Sequence, residues 1–364
     1  MGRVFNTTGV CIPEKHYMVN INGRLQQIKV LVDEGKYFTI NRARQYGKTT
    51  TLRALAEMLR DEYYVVLLDF QTFDNEKFSN GNVFSVAFAG SFLRVLRRNC
   101  KTMNNEMVSV IEEMKKDADY ANRYFSLKEL FEGLSDICEA ADRKIVLMID
   151  EVDSAANNQV FIDFLAQLRA QYLDREFYPG FQSVILAGVY DIKNLKRKLR
   201  PEEGHRYNSP WNIAADFSIE MSFSESEIAG MLQEYESDHR TGMNISKMSE
   251  LLYAYTAGYP FLVSRICQLM DERVRDEYEN LKLVWTENGF NEAVRILLAE
   301  KNPLFESLVG KICDYPELSV MLKTLLFTGR NIAYNPDETS IDMAQMFGFI
   351  KNQNGNVVIA NRIF

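Results

Sequence analysis

The sequence predicts an α/β fold built on a parallel sheet, followed by a helical region and a terminal β-hairpin. Three observations predict it. Apolar runs of strand length alternate with helical periodicity as far as residue 221. Two of those runs lead into short polar clusters, Gly47-Lys48-Thr49 and Asp150-Glu151, and the alternation stops at Ser222. With 364 residues and 46% hydrophobic content the chain can bury a large core in two or three domains.

In chain order, residues 11–19 read as extended. Asn22 is placed to cap a helix whose apolar positions Leu25, Ile28, Leu31 and Val32 end at Gly35. Tyr37-Phe38-Thr39-Ile40 is a short buried strand, and Leu52, Leu55, Ala56 and Leu59 mark the helix after the next loop. Residues 63–70 form the next strand, and a long, mostly helical stretch over 84–141 connects it to the run 144–151. That run is too continuously apolar for a half-exposed strand, which predicts a central parallel one. Phe161, Phe164, Leu165, Leu168 and Tyr172 make one helical face, Pro179-Gly180 a turn, and residues 183–188 and 217–221 two further strands. Strand–helix alternation of this kind implies right-handed crossovers.

From Ser222 the pattern is helical. Ser224 with Glu227 three residues later is a capping-box start, and Ala257-Gly258-Tyr259-Pro260-Phe261-Leu262 breaks and restarts a helix running through Arg265, Ile266, Leu269 and Met270. This region reads as a helical lid. Helices over 318–326 and 341–346 follow, and Asn354-Gly355 between two apolar runs signals a hairpin. Helices followed by a hairpin suggest a winged helix. From Glu317 onward Lys323, Arg330, Lys351 and Arg362 balance Glu317, Asp337, Glu338 and Asp342, a poor footing for DNA phosphates, so a wing used for packing or protein contact is favoured over one that reads DNA. The chain stops straight after the wing at Asn361-Arg362-Ile363-Phe364, where any further C-terminal region would be attached. The expected division is a core over 1–222, a lid over 223–300 and a winged-helix-like domain over 301–364.

The chemistry concentrates in Arg42-Ala43-Arg44-Gln45-Tyr46-Gly47-Lys48-Thr49-Thr50. Gly47-Lys48-Thr49 is the phosphate-gripping end of a P-loop, G-x-x-x-x-G-K-[ST], although Arg42 stands where its first glycine belongs. Between a strand and a helix, main-chain N–H groups around Gly47 point at phosphates, Lys48 supplies charge to the β- and γ-phosphates, and the Thr49 hydroxyl can ligate Mg²⁺. Ligands of open α/β sheets sit at the carboxyl ends of the strands. Asp150 is therefore the second Mg²⁺ candidate, and Glu151 the base that polarises the attacking water.

After the strand ending at Gly188, Tyr190 and Asp191 are candidates to sense a γ-phosphate, with helix capping by Asp191 the alternative. In the basic run Lys193, Lys196, Arg197, Lys198 and Arg200, the candidate arginines for a transition-state contact are Arg197, Arg200 and, beyond the run, Arg206; such runs are usually solvated helix faces. Arg265 is a further candidate on the lid. Cys11, Cys100, Cys138, Cys267 and Cys313 are dispersed and His16, His205 and His239 fall in no ligand spacing, which argues against a disulfide framework and a zinc site. The net charge of −8 argues against a nucleic-acid-coating surface but leaves room for one local basic patch, so DNA stays a weakly supported partner. No apolar stretch spans a bilayer and no signal-peptide core follows Met1, so the expectation is cytoplasmic, without a membrane partner.

Together, residues 37–50, Leu147-Met148-Ile149-Asp150-Glu151-Val152-Asp153, Leu186-Ala187-Gly188-Val189-Tyr190-Asp191 and Ala257-Gly258-Tyr259-Pro260-Phe261-Leu262 resemble bacterial AAA-ATPase-like proteins related to archaeal-type and STAND P-loop ATPases. The resemblance covers nearly the whole chain. It implies a P-loop NTPase core of the additional-strand (ASCE, AAA-like) class with a Lys48, Thr49, Asp150 and Glu151 site, and adenine-pocket candidates Pro13, Tyr17 and Met18. It also makes Arg42 a tolerated variation, since relatives carry an Arg-x-Arg-x-x-Gly-Lys loop. Some relatives carry a C-terminal nuclease-like domain, and no such segment is present in this sequence. Two functions follow: a Mg²⁺-dependent ATPase driving movement in a partner protein or a homo-oligomer, or a slow switch holding ATP or ADP. Glu151 favours the first, because a switch needs no base there. A small-molecule kinase is weaker, for want of a substrate cleft or lid arginine cluster.

Overall fold

The computed structural model describes residues 2–99, 103–189, 211–277 and 281–364. The chain forms two compact units, one of Arg24–Asn41 and Thr51–Ile219, the other of Met1–Gly23, Arg42–Thr50 and Glu220–Phe364. Two short parallel strands, β1 (Val4–Phe5) and β2 (His16–Tyr17), precede helix α1 (Asn22–Asp33). Asn22 is the first helical residue and not the cap: its N–H is taken by the Asn20 side chain at 2.9 Å. At the other end Gly35 is left-handed (φ 67°), and the Gly35 and Lys36 N–H groups close on the carbonyls of Val32 and Leu31, the paired bonds of a Schellman stop.

The first unit is a four-stranded parallel sheet of β3 (Phe38–Asn41), β4 (Tyr64–Asp69), β5 (Ile145–Asp150) and β6 (Ser183–Gly188), in the order β3-β6-β5-β4. Strand β6 therefore lies between the strand that leads to Gly47-Lys48-Thr49 and the strand that ends at Asp150. All six residues of β5 and all six of β6 are buried, which is why residues 145–149 and 184–187 are continuously apolar. Ile40 pairs with Ala187, Ile149 with Leu186 and Asp69 with Asp150, so the carboxyl ends finish level at one edge.

The crossovers are α2 (Lys48–Leu59) between β3 and β4, α3 (Gly81–Asn99), α4 (Asn105–Asp117) and α5 (Leu127–Ala140) between β4 and β5, and α6 (Gln159–Leu173) between β5 and β6. Ile145, Leu147 and Ile149, the alternate residues of β5, join Phe84, Phe88 and Phe92 of α3, Phe131 of α5 and Phe161 and Phe164 of α6 in one core cluster. Several of these rings meet edge-on or tilted, as Phe84 and Phe164 do at 5.3 Å.

The strand expected at residues 217–221 does not form. The chain instead meets β3 in a single parallel bridge, Phe38 to Ala215, with the Trp211 indole N–H donated to Thr39 Oγ1 at 2.8 Å and Phe217 stacked on Phe38. Beyond it, the Glu220 carboxylate accepts the N–H groups of Met221 and Ser222, so those donors have a side-chain partner in place of a neighbouring strand.

In the second unit, α7 (Glu225–His239) starts with the expected capping box: Ser224 Oγ accepts from Glu227 N and Glu227 returns to Ser224 N. After α8 (Ile245–Thr256), Ala257 and Gly258 are both left-handed and α9 (Pro260–Leu269) starts with proline in its first turn. Then come α10 (Glu287–Ala299), α11 (Pro303–Asp314), α12 (Pro316–Phe327) and α13 (Thr339–Met346). The hairpin of β7 (Ile350–Gln353) and β8 (Asn356–Ile359) turns on left-handed Asn354 and Gly355, the backbone that a tight two-residue loop demands. Residues 332–334 add to its edge through Val357 N to Ile332 O and Tyr334 N to Gly355 O. Among the described residues no helix is long and apolar enough to cross a membrane.

Candidate functional site

The site residues fall into a loop group and a sheet-edge group. In the loop, Gly47 is left-handed (φ 77°) immediately before α2, and a Cβ built there meets nothing within 4 Å among the described residues. The bend therefore needs glycine for its backbone, and the space beside it is open. Lys48 is 7% exposed, and its ammonium donates to the carbonyls of Arg42 at 2.8 Å and Ala43 at 3.0 Å. The loop thus closes around the lysine head. Gln45 is also left-handed (φ 57°), an uncommon state for a residue with a Cβ, and its buried Oε1 has no hydrogen-bond partner among the described residues.

Aromatic residues of the same unit prop this loop. Tyr259 donates its hydroxyl to the Arg44 carbonyl, and its ring meets that of Tyr46 edge-on at 4.5 Å. Tyr46 in turn shares a 2.8 Å hydrogen bond with Ser222 Oγ. Burial pushes both phenols above their usual range, so both remain protonated donors at neutral pH. Thr49 is half-buried, and Thr50 Oγ1 accepts the Cys11 N–H at 3.3 Å, which brings the segment carrying exposed Pro13 to the start of α2.

Tyr17 is differently occupied. It is 2% exposed, its ring packs against Phe5 and Tyr235 with the Arg3 guanidinium over it, and its hydroxyl donates to Asp238 at 2.8 Å. Burial, with Asp238 adding to it, pushes this phenol up to about 12. The ring is thus engaged within its own unit, while Met18 beside it is half-buried.

At the sheet edge, Asp150 is 4% exposed and its Oδ1 accepts the Glu151 N–H at 3.0 Å. Glu151 is left-handed (φ 53°, ψ 41°), which turns the chain sharply out of β5 and leaves the glutamate half-buried at the strand terminus. Sequence reasoning had no signal for two other contacts, Tyr259 to Arg44 and Asp153 to the Val189 N–H at 2.6 Å, nor for the charge of Arg42 helping to hold the Glu220 carboxyl down. In α9, Arg265 is held by both carboxylate oxygens of Glu300, at 2.9 and 2.5 Å, and by Gln268. Tyr190, Asp191, Lys193, Lys196, Arg197, Lys198, Arg200 and Arg206 lie outside the described residues, as do Cys100 and His205. The other four cysteines are free thiols.

A parallel sheet with one strand inserted between the loop-bearing strand and the strand ending in Asp150-Glu151 is the architecture of a P-loop ATPase of the additional-strand class. The family model described as the AAA-like domain matches residues 10–364, and the chain belongs to that family. Among solved structures it is similar to the Walker-type ATPase PABY2304 of Pyrococcus abyssi, with 13% identity, 99% of this chain and 97% of that one covered, and a TM-score of 0.62. At that identity the likeness is one of fold. Looser similarities are to Cdc6p from Pyrobaculum aerophilum (14% identity, 98% and 93% covered, TM-score 0.46) and the ORC2 protein of Aeropyrum pernix (11%, 98% and 93%, 0.45). Comparison with curated proteins finds no match.

Proposed function

We propose that this chain binds ATP with Mg²⁺ and hydrolyses it to drive a conformational change in a partner protein or a homo-oligomer. The observation that carries the proposal is the loop: left-handed Gly47 with open space beside it, at the head of α2, and main-chain carbonyls wrapped around the Lys48 ammonium. Left-handed backbone at Gln45 and Gly47 belongs to the turn geometry from which main-chain anion nests are made. Residues 44–50 then hold the phosphates, with Lys48 as the charge on the β- and γ-groups. The Thr49 hydroxyl and the Asp150 carboxylate are hard oxygen donors of the kind Mg²⁺ prefers, and they would hold the ion, which neutralises charge developing on the phosphates. Glu151 orients and polarises the attacking water. Pro13 is the better candidate for the base, because the Cys11 bond to Thr50 ties its segment to the loop while the Tyr17 ring is already packed.

Residues 1–222 would then act as the core, 223–300 as the lid and 301–364 as a winged-helix-like element, with Tyr259 linking the helices to the Arg44 carbonyl. The test is ATP turnover with Mg²⁺ in the parent, Glu151→Gln and Lys48→Ala. Glu151→Gln should bind ATP but lose about 10²-fold or more in turnover, and Lys48→Ala should lose binding by titration calorimetry. Unchanged phosphate release in Glu151→Gln removes the base assignment, and retained affinity in Lys48→Ala removes the phosphate site. Tight binding with negligible parental turnover would instead assign the nucleotide-gated switch.

A further inference from the structure

Beyond Glu151 the chain makes one tight helical turn over Val152–Ser154, and two side chains of that turn fasten the neighbouring strand ends. Asp153 Oδ2 accepts the N–H of Val189, the first residue past β6, at 2.6 Å. The single Ser154 hydroxyl proton is shared between the carbonyl of Phe70, the first residue past β4, at 3.0 Å and that of Glu151 at 2.8 Å. The Ser154 N–H closes on the same Glu151 carbonyl, and the Glu151 N–H closes on Asp150. Glu151 sits among these bonds in a backbone state that a residue with a Cβ rarely adopts, so surrounding contacts must hold it there.

The turn also rests directly on the end of β6. A Cβ added at Gly188 would stand 2.8 Å from Asp153 Oδ1 and 2.9 Å from Val152 Cγ2, so glycine is the residue that lets the carboxylate reach the Val189 N–H. The short distance fits a charge-assisted bond. Sequence separation alone makes this link long-range, since acceptor and donor stand 36 positions apart.

We propose that Asp153 is a positioning residue for hydrolysis: by tying the turn after Glu151 to the end of β6, it fixes the backbone, and with it the carboxylate, of the base. The proposal rests on the reading of Glu151 as the base of an ATPase. Asp153 needs no contact with nucleotide for this role. Its carboxylate acts as a hydrogen-bond acceptor at a fixed place, a role that the amide oxygen of asparagine can also fill.

The experiment compares the parent with Asp153→Ala, Asp153→Asn and Asp153→Glu by Mg²⁺-dependent ATP turnover, affinity for a non-hydrolysable ATP analogue, and amide exchange of the peptide carrying Val189. Asp153→Ala should lower kcat about 10- to 100-fold, the scale of a small misplacement of a reacting group. Its affinity for the analogue should stay within about twofold, as expected of an interaction that matters in the transition state alone. The Val189 amide should exchange faster, and Asp153→Asn should restore most of the turnover. If Asp153→Ala does not fold, Asp153→Glu carries the test, since its longer arm cannot meet Val189 without displacing the turn, and it too should turn over slowly. Parental kcat in Asp153→Ala or Asp153→Glu overturns the proposal, as does a joint fall of kcat and affinity that asparagine does not rescue. A parent that binds the analogue but shows no turnover overturns the ATPase reading itself, and the parental rate distinguishes the two failures.

Discussion

Replacing Gly258 with alanine should destabilise the unit that carries the loop over residues 42–50. Gly258 has a φ of 73°, and an added Cβ would lie 1.9 Å from the Phe223 carbonyl oxygen and 2.9 Å from its carbonyl carbon and nitrogen. All three are main-chain atoms, so no side-chain rotation relieves the overlap. The same two residues share a 2.8 Å bond from Phe223 N to Gly258 O, which fixes their separation. Left-handed backbone costs about 1–2 kcal/mol for a residue with a Cβ and overpacking about 1–3 kcal/mol, which together give about 2–5 kcal/mol. At about 2–4 °C per kcal/mol for a domain of this order, Tm should fall by about 4–20 °C. Ala257→Gly is the control: it relieves left-handed strain at φ 48° but adds unfolded-chain entropy, so it should stay within about 1 kcal/mol of the parent. The assay is thermal and urea denaturation with ATP affinity measured beside it, because Tyr259 follows directly and reaches the loop. A Gly258→Ala protein that melts within about 2 °C of the parent would refute the reasoning.

Tyr259→Phe removes the hydroxyl donated to the Arg44 carbonyl and leaves that acceptor without this partner, so we expect a loss of about 1–3 kcal/mol in urea denaturation together with weaker ATP binding by calorimetry. Equal affinity in the variant would mean that Tyr259 does not shape the loop. Burial alone would raise the Glu220 carboxyl, but the N–H of Ser222, that of Met221 and the charge of Arg42 outweigh it and hold the group below its ordinary range. A depressed folded value means that its stabilisation is present above the unfolded value, about 4.3, and is lost as pH falls through the lower folded one. Melting temperature should therefore drop more steeply from pH 5 to pH 3 in the parent than in Glu220→Gln, and parallel curves would show that Glu220 contributes nothing.

What the sequence made legible was whatever is governed by local periodicity or by backbone demand. β5 and β6 could be read because strands buried on both faces have no polar alternation to obscure them, and the hairpin because Asn354 and Gly355 both tolerate positive φ. Residues 217–221 misled because alternation records which side chains face inward, not where main-chain donors go; here Glu220 takes two of them. Tyr17 was an adenine-pocket candidate through the family resemblance alone, and its burial among Phe5, Tyr235 and Asp238 depends on α7, more than 200 residues away. Tyr259 and Asp153 belong to the same class, since their partners are set by tertiary contact.

The Arg42 that interrupts the P-loop pattern has a backbone explanation. A glycine is required where φ is positive or where another atom occupies the Cβ position. In this loop the positive φ values fall at Gln45 and Gly47, and Arg42 is not among the left-handed residues, so its position accepts a side chain without strain. What the loop asks of residue 42 is its carbonyl, which receives the Lys48 ammonium at 2.8 Å and which every amino acid supplies equally. The side chain is then available for a different purpose, and its charge acts on the Glu220 carboxylate that organises residues 221 and 222. Ser222 in turn bonds Tyr46 within the loop. The arginine therefore adds charge beside a run of contacts, Glu220 to Ser222 to Tyr46, that leads back to the loop, and a glycine at 42 would remove that charge without relieving any backbone constraint.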